Sequence, residues 1–247
     1  MNEEEGKTGF NRLVSKVEQV PKYLDRSLEI FNMSRHFWHN VLGRDFINET
    51  GFKVANLGAG EAVEGLPFAY ALEGKSGDAL KRALLRAPKI IRTKGRSRLV
   101  GPDNPKVEVF SFDYDTENAQ KLRTNFFLRG FTEKGKFVQA NFTALPAGNE
   151  VFDICLIRNP YWDELEKTDE VNKAFAEFDR VLKPKGLLWM TFLSEEEFNI
   201  ALGQIKLSPT YQIKFFGESG FQIVKDIMPS TGEPVPWDKF IILAEKG

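Results

Sequence analysis

At 247 residues with 42% apolar side chains, the chain can bury a substantial core as one large α/β domain or a domain with a small extension, which excludes overall disorder. Its 34 basic and 35 acidic residues nearly cancel, and no apolar run approaches the roughly 18 residues that a membrane crossing needs. The polar, acidic start MNEEEGKTGF is unlike a secretory signal, and the single Cys155, set in an apolar run, excludes an intrachain disulfide framework. A soluble, cytoplasmic protein is the expectation.

From the N-terminus, Leu13, Val17 and Val20, then Leu24, Leu28, Ile30 and Phe31, recur at near-helical spacing with Pro21 as a break. Phe37, Trp38, Leu42, Phe46 and Ile47 form a second apolar group. Residues 1–50 therefore read as a helical cap at one end of a sheet. His36 and His39 fall three apart, on one helix face, but lack a third ligand, so no metal site is expected.

Residues 52–65, FKVANLGAGEAVEG, change character abruptly. Val54, Ala55 and Leu57 make a buried strand, Gly58-Ala59-Gly60 breaks it, and Val63, Leu66 and Tyr70 resume at helical spacing. A helix N-terminus facing a glycine turn is the geometry of a nucleotide-type site. The dinucleotide pattern GxGxxG is incomplete, with Val63 where its third glycine belongs.

Charge is then segregated. Residues 75–98 hold nine basic side chains against the single acid Asp78, which points to a phosphate-bearing partner if the face is not simply solvated. Residues 77–91 read as a basic helix interrupted at Pro88, and residues 92–106, with Gly95, Gly101, Pro102 and Pro105, as an exposed loop. KVEVFSFD, residues 106–113, is the second core strand and ends at Asp113. Asp115 can cap a helix through Ala119, Leu122 and Phe126 that stops at Gly130.

Residues 136–140 and 151–157 supply the third and fourth strands, the latter apolar apart from Asp153, as in a strand covered on both faces. Val171, Phe175, Phe178, Val181 and Leu182 stripe a helix that Lys183-Pro184-Lys185-Gly186 terminates before a strand over 187–193. Strands alternating with helices imply parallel crossovers. Residues 221–227 and 239–244 are joined by a proline-containing loop without room for a crossover helix, and so should be antiparallel.

These phrases in this order resemble the class I S-adenosylmethionine-dependent methyltransferases: NLGAGEA their glycine motif, SFDYDTENAQKL their acid-ended second strand, FDRVLKPKGLLWMTF the entrance to their fifth strand, and ESGFQIVKD with KFIILAEK their last pair. The resemblance implies a doubly wound Rossmann-like α/β fold. Its seven-stranded sheet would be mostly parallel with a C-terminal antiparallel hairpin. It covers residues 51–247 as a methyltransferase-like domain, with a basic insertion at about 74–105. S-adenosylmethionine is the implied cofactor. Gly58 and Gly60 would admit its amino-acid end and Asp113 would accept from the ribose hydroxyls. Asn141 would meet the adenine edge and Phe142 its face, and Arg158 would border the methyl group. Asn56 stands where the family has an acid and cannot neutralise the cofactor's ammonium, while Ala62 replaces the motif's third glycine.

Asn159-Pro160-Tyr161-Trp162 is similar to the Asn-Pro-Pro-aromatic motif of methyltransferases acting on planar amino groups, with Tyr161 in place of a proline. That likeness assigns Asn159 and Tyr161 to the acceptor side. The acceptor itself stays open between a small molecule, under an apolar lid from Phe37, Trp38 and His39, and RNA held through the basic segment 75–98. The lack of a recognised RNA-binding module tips the balance slightly toward the small molecule. A degenerate, non-catalytic relative, an interaction module, and a nicotinamide-dependent dehydrogenase are the competing readings; the missing third glycine and the antiparallel end argue against the last.

Overall fold

The computed structural model describes residues 20–59, 65–85, 89–93, 96–100, 106–115, 135–160, 162, 168–221, 223–227 and 234–247. Helix α1 (Val20–Arg35) runs into a π-helical turn (His36–Val41), and β1 (Lys53–Leu57) follows. Helices α2 (Gly65–Leu72) and α3 (Gly77–Leu85) and strands β2 (Lys89–Thr93) and β3 (Arg96–Val100) precede β4 (Glu108–Asp113) and β5 (Gly135–Gln139). Then come β6 (Phe152–Arg158), α4 (Thr168–Val181), β7 (Leu182–Phe192), α5 (Glu195–Leu207) and β8 (Tyr211–Glu218). The chain closes with β9 (Ile223–Ile227), β10 (Pro234–Trp237) and β11 (Phe240–Lys246).

Seven strands form one sheet in the order β5-β4-β1-β6-β7-β11-β8. The first five are mutually parallel and β11 runs antiparallel to both its neighbours. Side chains alternate across each strand, so Ala55, Leu57, Cys155, Ile157, Leu188 and Met190 face α4 and α5. Val54, Ile154, Leu156, Trp189 and Ile241 face α1 and α2. Burial on both faces explains why the central strands read as almost unbroken apolar runs. Desolvation pushes the Cys155 thiol far up, which leaves it an inert core residue. No helix among the described residues is long and apolar enough to cross a membrane.

Four local expectations change. The basic helix is α3, Gly77–Leu85, and an antiparallel ribbon of β2 and β3 takes the end of the segment read as helix and the start of the one read as a loop, favoured by Ile90, Ile91, Thr93, Leu99 and Val100. The strand beside β11 is β8, and β9 pairs with β10 in a separate two-stranded sheet. β8 alternates half-buried Tyr211, Ile213 and Phe215 with exposed Gln212, Lys214 and Phe216, and the adjacent pair Phe215-Phe216 hides that period. Helix α5, unread in the sequence, is capped by Ser194, whose hydroxyl accepts from the Glu197 N–H.

The fourth change concerns the lid. Phe37 and Trp38 are 1% and 3% exposed: Phe37 lies edge-on to Trp189, and Trp38 edge-on to Phe52 just before β1, with its indole N–H donated to the Asp45 carbonyl. Trp38 thus packs beside the amino end of β1, and Phe37 lies in the core over Trp189 of β7. His39 stacks on Phe46 at 4.7 Å. The predicted first helical segment before Val20 and the helix over 116–130 lie outside the described residues.

Candidate active site

The chain leaves β1 toward β4 on one side and β6 on the other, so the sheet's switch point lies between β1 and β6. Ligands of open α/β sheets sit there, beyond the carboxyl ends of the strands. Parallel pairing aligns those ends: Leu57 with Phe112 and Ile157, Asp113 with Gln139, and Arg158 with Thr191. Gly58, Asp113, Asn141, Phe142, Arg158 and Asn159 are thereby brought to one edge. Gly60 and Tyr161 lie outside the described residues.

On the β1–β4–β5 side, backbone does most of the shaping. The Ala59 N–H donates to the Phe112 carbonyl (3.1 Å), tying the turn to β4. Gly58 has φ +66°, and a Cβ there would stand 2.8 Å from Cζ of Phe142, so only glycine lets that ring lie against the turn. Phe142 also packs edge-on against Phe178 at 6.4 Å. Asp113 is 5% exposed; its carboxylate accepts from the Asp115 N–H (2.9 Å) and its carbonyl from the Ala140 N–H (2.9 Å). Asn141 is exposed and caps its own turn, its side-chain oxygen accepting from the Thr143 N–H at 3.1 Å.

Two features of this side go beyond the sequence reading. Tyr114 follows Asp113 and is 76% exposed, a bare aromatic face at the edge; its adjacency to Asp113 was the available signal. Glu177 and Arg180 of α4 hold the segment after β5. Glu177 accepts from the Leu145 N–H, and Arg180 donates to the Leu145 and Ala147 carbonyls. Their mutual hydrogen bonds keep the Glu177 carboxyl below the usual glutamate range.

Across the switch point, side chains lock the chain. Arg158 is committed to Asp238: Nε donates to one carboxylate oxygen (2.9 Å) and Nη2 makes a short bond to the other. Asp238 is fully buried with φ +57°, and it also accepts a short bond from the Thr191 hydroxyl. Asn159 follows with φ +47°, its N–H donated to the Thr191 carbonyl (2.8 Å). Asparagine tolerates that left-handed geometry better than most residues. Trp162, 1% exposed, sits in the core against Phe175 and Phe192, and its N–H donates to Glu197 at 2.8 Å.

The buried polar atoms without partners are informative. Neither amide atom of Asn159, itself 4% exposed, has a hydrogen-bond partner among the described residues, and Nδ2 of Asn56, 1% exposed, has none either. Leaving such atoms unpaired costs roughly 1–3 kcal/mol each, a cost that a bound ligand would remove.

Comparison with known proteins bears on the same edge. A family model described as a methyltransferase domain matches residues 95–190. A methyltransferase from Aquifex aeolicus that depends on S-adenosylmethionine is similar in structure. It has a TM-score of 0.50 at 15% identity, over 93% of this chain and 97% of that one. The [4+2]-cyclase SpnF has a TM-score of 0.53 at 13% identity, over 86% of this chain and 81% of that one. No curated protein matches the sequence. The fold is that of the class I S-adenosylmethionine-dependent methyltransferases. This methyltransferase fold also carries a cyclase, so the reaction must be argued from the site.

The cofactor that the methyltransferase domain implies is S-adenosylmethionine, and the residues present fit it. A buried carboxylate at the end of β4 suits vicinal hydroxyls, a side-chain-free turn at Gly58 suits close approach, and Nδ2 of Asn56 lacks a partner among the described residues.

Proposed function

We propose that the protein is an S-adenosylmethionine-dependent methyltransferase whose cofactor lies over β1, β4 and β5 and whose acceptor lies beside Asn159. The observation that carries this reading is that one carboxyl edge holds, on either side of β1, the buried Asp113 carboxylate and the Asn159 amide, which has no partner among the described residues. Asp113 would accept from the ribose hydroxyls, and Gly58 and Gly60 would admit the amino-acid end. Tyr114 and Phe142 offer aromatic faces for the adenine, and Asn141 its edge contact. When bound, the cofactor supplies an activated methyl group, so the protein's task is alignment and exclusion of water. Arg158 serves by holding the strand end through Asp238.

Asn159 offers one donor and one acceptor from a rigid, buried position. A planar amino group conjugated to an acceptor atom complements it, with Tyr161 beside it. A small molecule bearing such a group is the first candidate, and an RNA base, favoured by the basic segment, the second. The alternative, a cofactor-binding protein without activity, is favoured by one observation, the neutral Asn56 at the family's acidic position.

Transfer of tritiated methyl from S-adenosylmethionine into small-molecule and RNA fractions tests the reading. Wild type should label one fraction, and Asn159→Ala should lower the rate by about 10²–10³ while still binding cofactor, as loss of one positioned hydrogen-bonding group does. Cofactor binding without transfer to either fraction would favour the inactive alternative.

A further inference from the structure

The insertion between α3 and β4 has a charge pattern that the site does not use. From residue 79 to residue 102 the chain carries eight basic residues, no acid and no aromatic. Lys75, just before it, is already committed: its ammonium lies 3.2 Å from Glu73 and over the Tyr70 ring. The next cations, Lys81 and Arg82 on α3, are exposed. Beyond them β2 and β3 pair antiparallel as Lys89 with Val100, Ile91 with Arg98 and Thr93 with Arg96. That register puts Lys89, Arg98 and Arg96 on one face of the ribbon.

Residues two apart on a strand are about 7 Å apart, inside the Debye length of about 8 Å at physiological salt. Like charges at such spacing repel, and the segment's sequence holds no acid to relieve them. The ribbon is also a sheet of its own, separate from the main one. A two-stranded ribbon is marginal alone in water, so a polyanion that neutralises it would also steady it. With eight cations, no acid and no aromatic platform, the segment's main means of recognition is charge, which points to backbone phosphate. The insertion is anchored through α3, whose Leu80 and Ala83 pack with Leu66 and Tyr70 of α2, the helix that follows the glycine turn. It rejoins the sheet as β4, which ends at Asp113.

We propose that α3 and the β2–β3 ribbon form an arm that binds the phosphodiester backbone of a nucleic-acid duplex. Such a ribbon fits the major groove of a DNA duplex, or lies across the phosphates bordering the shallow groove of an RNA duplex. The arm needs no cofactor to act, so its test is independent of the methyl-transfer reading.

The test is fluorescence anisotropy of the full chain with a short labelled RNA duplex and a DNA duplex of matching sequence, without S-adenosylmethionine. Wild type should bind at least one duplex, and the affinity should fall steeply between about 50 and 200 mM salt. Arg96→Glu with Arg98→Glu should weaken binding at least about tenfold and flatten the log–log salt slope by about two units. Lys81→Gln with Arg82→Gln, on a helix surface outside the ribbon, should weaken it less and guards against a ribbon that fails to form. The duplex that binds names the source. Binding to neither duplex at low salt, or an unchanged affinity and slope in both variants, overturns the proposal, as does binding only to anionic lipid vesicles.

Discussion

The two halves of the carboxyl edge are built by opposite means. On the β1–β4–β5 half, main-chain hydrogen bonds and one glycine, with Glu177 and Arg180 holding the segment after β5 from behind, shape an edge where Gly58, Tyr114 and Asn141 are exposed. On the β6–β7–β11 half, buried charged side chains from distant parts of the chain, Asp238 and Glu197, fix Arg158 and Trp162 in place. The first half leaves a turn without side chains open at the edge; the second is held by buried side-chain bonds, apart from the amide of Asn159, which has no partner among the described residues.

The contrast predicts separable effects, and the largest is on stability. Asp238→Ala strands a buried guanidinium and should cost about 3–5 kcal/mol, read by denaturant unfolding, with cofactor affinity little changed if folded protein is recovered. Asp113→Ala should do the reverse. Loss of two hydrogen bonds to a charged group, about 1.5–3 kcal/mol each, should weaken S-adenosylmethionine binding at least about a hundredfold by calorimetry, while the stability loss, from the Asp115 N–H bond, stays below that of Asp238→Ala. Equal loss of both properties in either variant would erase the distinction between the halves.

Gly58→Ala is intermediate. It adds a Cβ 2.8 Å from Phe142 at φ +66°, a strain of about 1–3 kcal/mol, and should lower both stability and affinity moderately. The smallest effect concerns acid. Because Arg180 holds the Glu177 carboxyl below its ordinary value of 4.5, the folded state binds that proton less tightly than the unfolded chain does. Its contribution is complete at neutral pH and is lost as pH falls from that value through the folded one. Thermal midpoints should therefore fall more steeply below about pH 4.5 in wild type than in Glu177→Gln.

Sequence and structure agree where local signals carry the information. Strand β1 ending at the turn of Gly58 and the acid ending FSFD are local, and both appear where expected at the edge, while residues 60–64 lie outside the described residues. Arg158 could be placed at the end of β6 but its partner could not, since Asp238 lies 80 residues away. Glu197 was within reach, because Ser194 three residues before it is a capping pattern, yet its bond to the Trp162 N–H depends on tertiary packing. The aromatic pair Phe37-Trp38 shows the limit from the other direction. Its composition suits a lid as well as a core, and only the position of Trp189 and Phe52 decides for the core.

The most direct test of the central claim is calorimetric titration of the folded wild-type protein with S-adenosylmethionine and, separately, with NAD. The account predicts one site for S-adenosylmethionine and no heat from NAD. Binding of NAD, or of neither ligand, would contradict it.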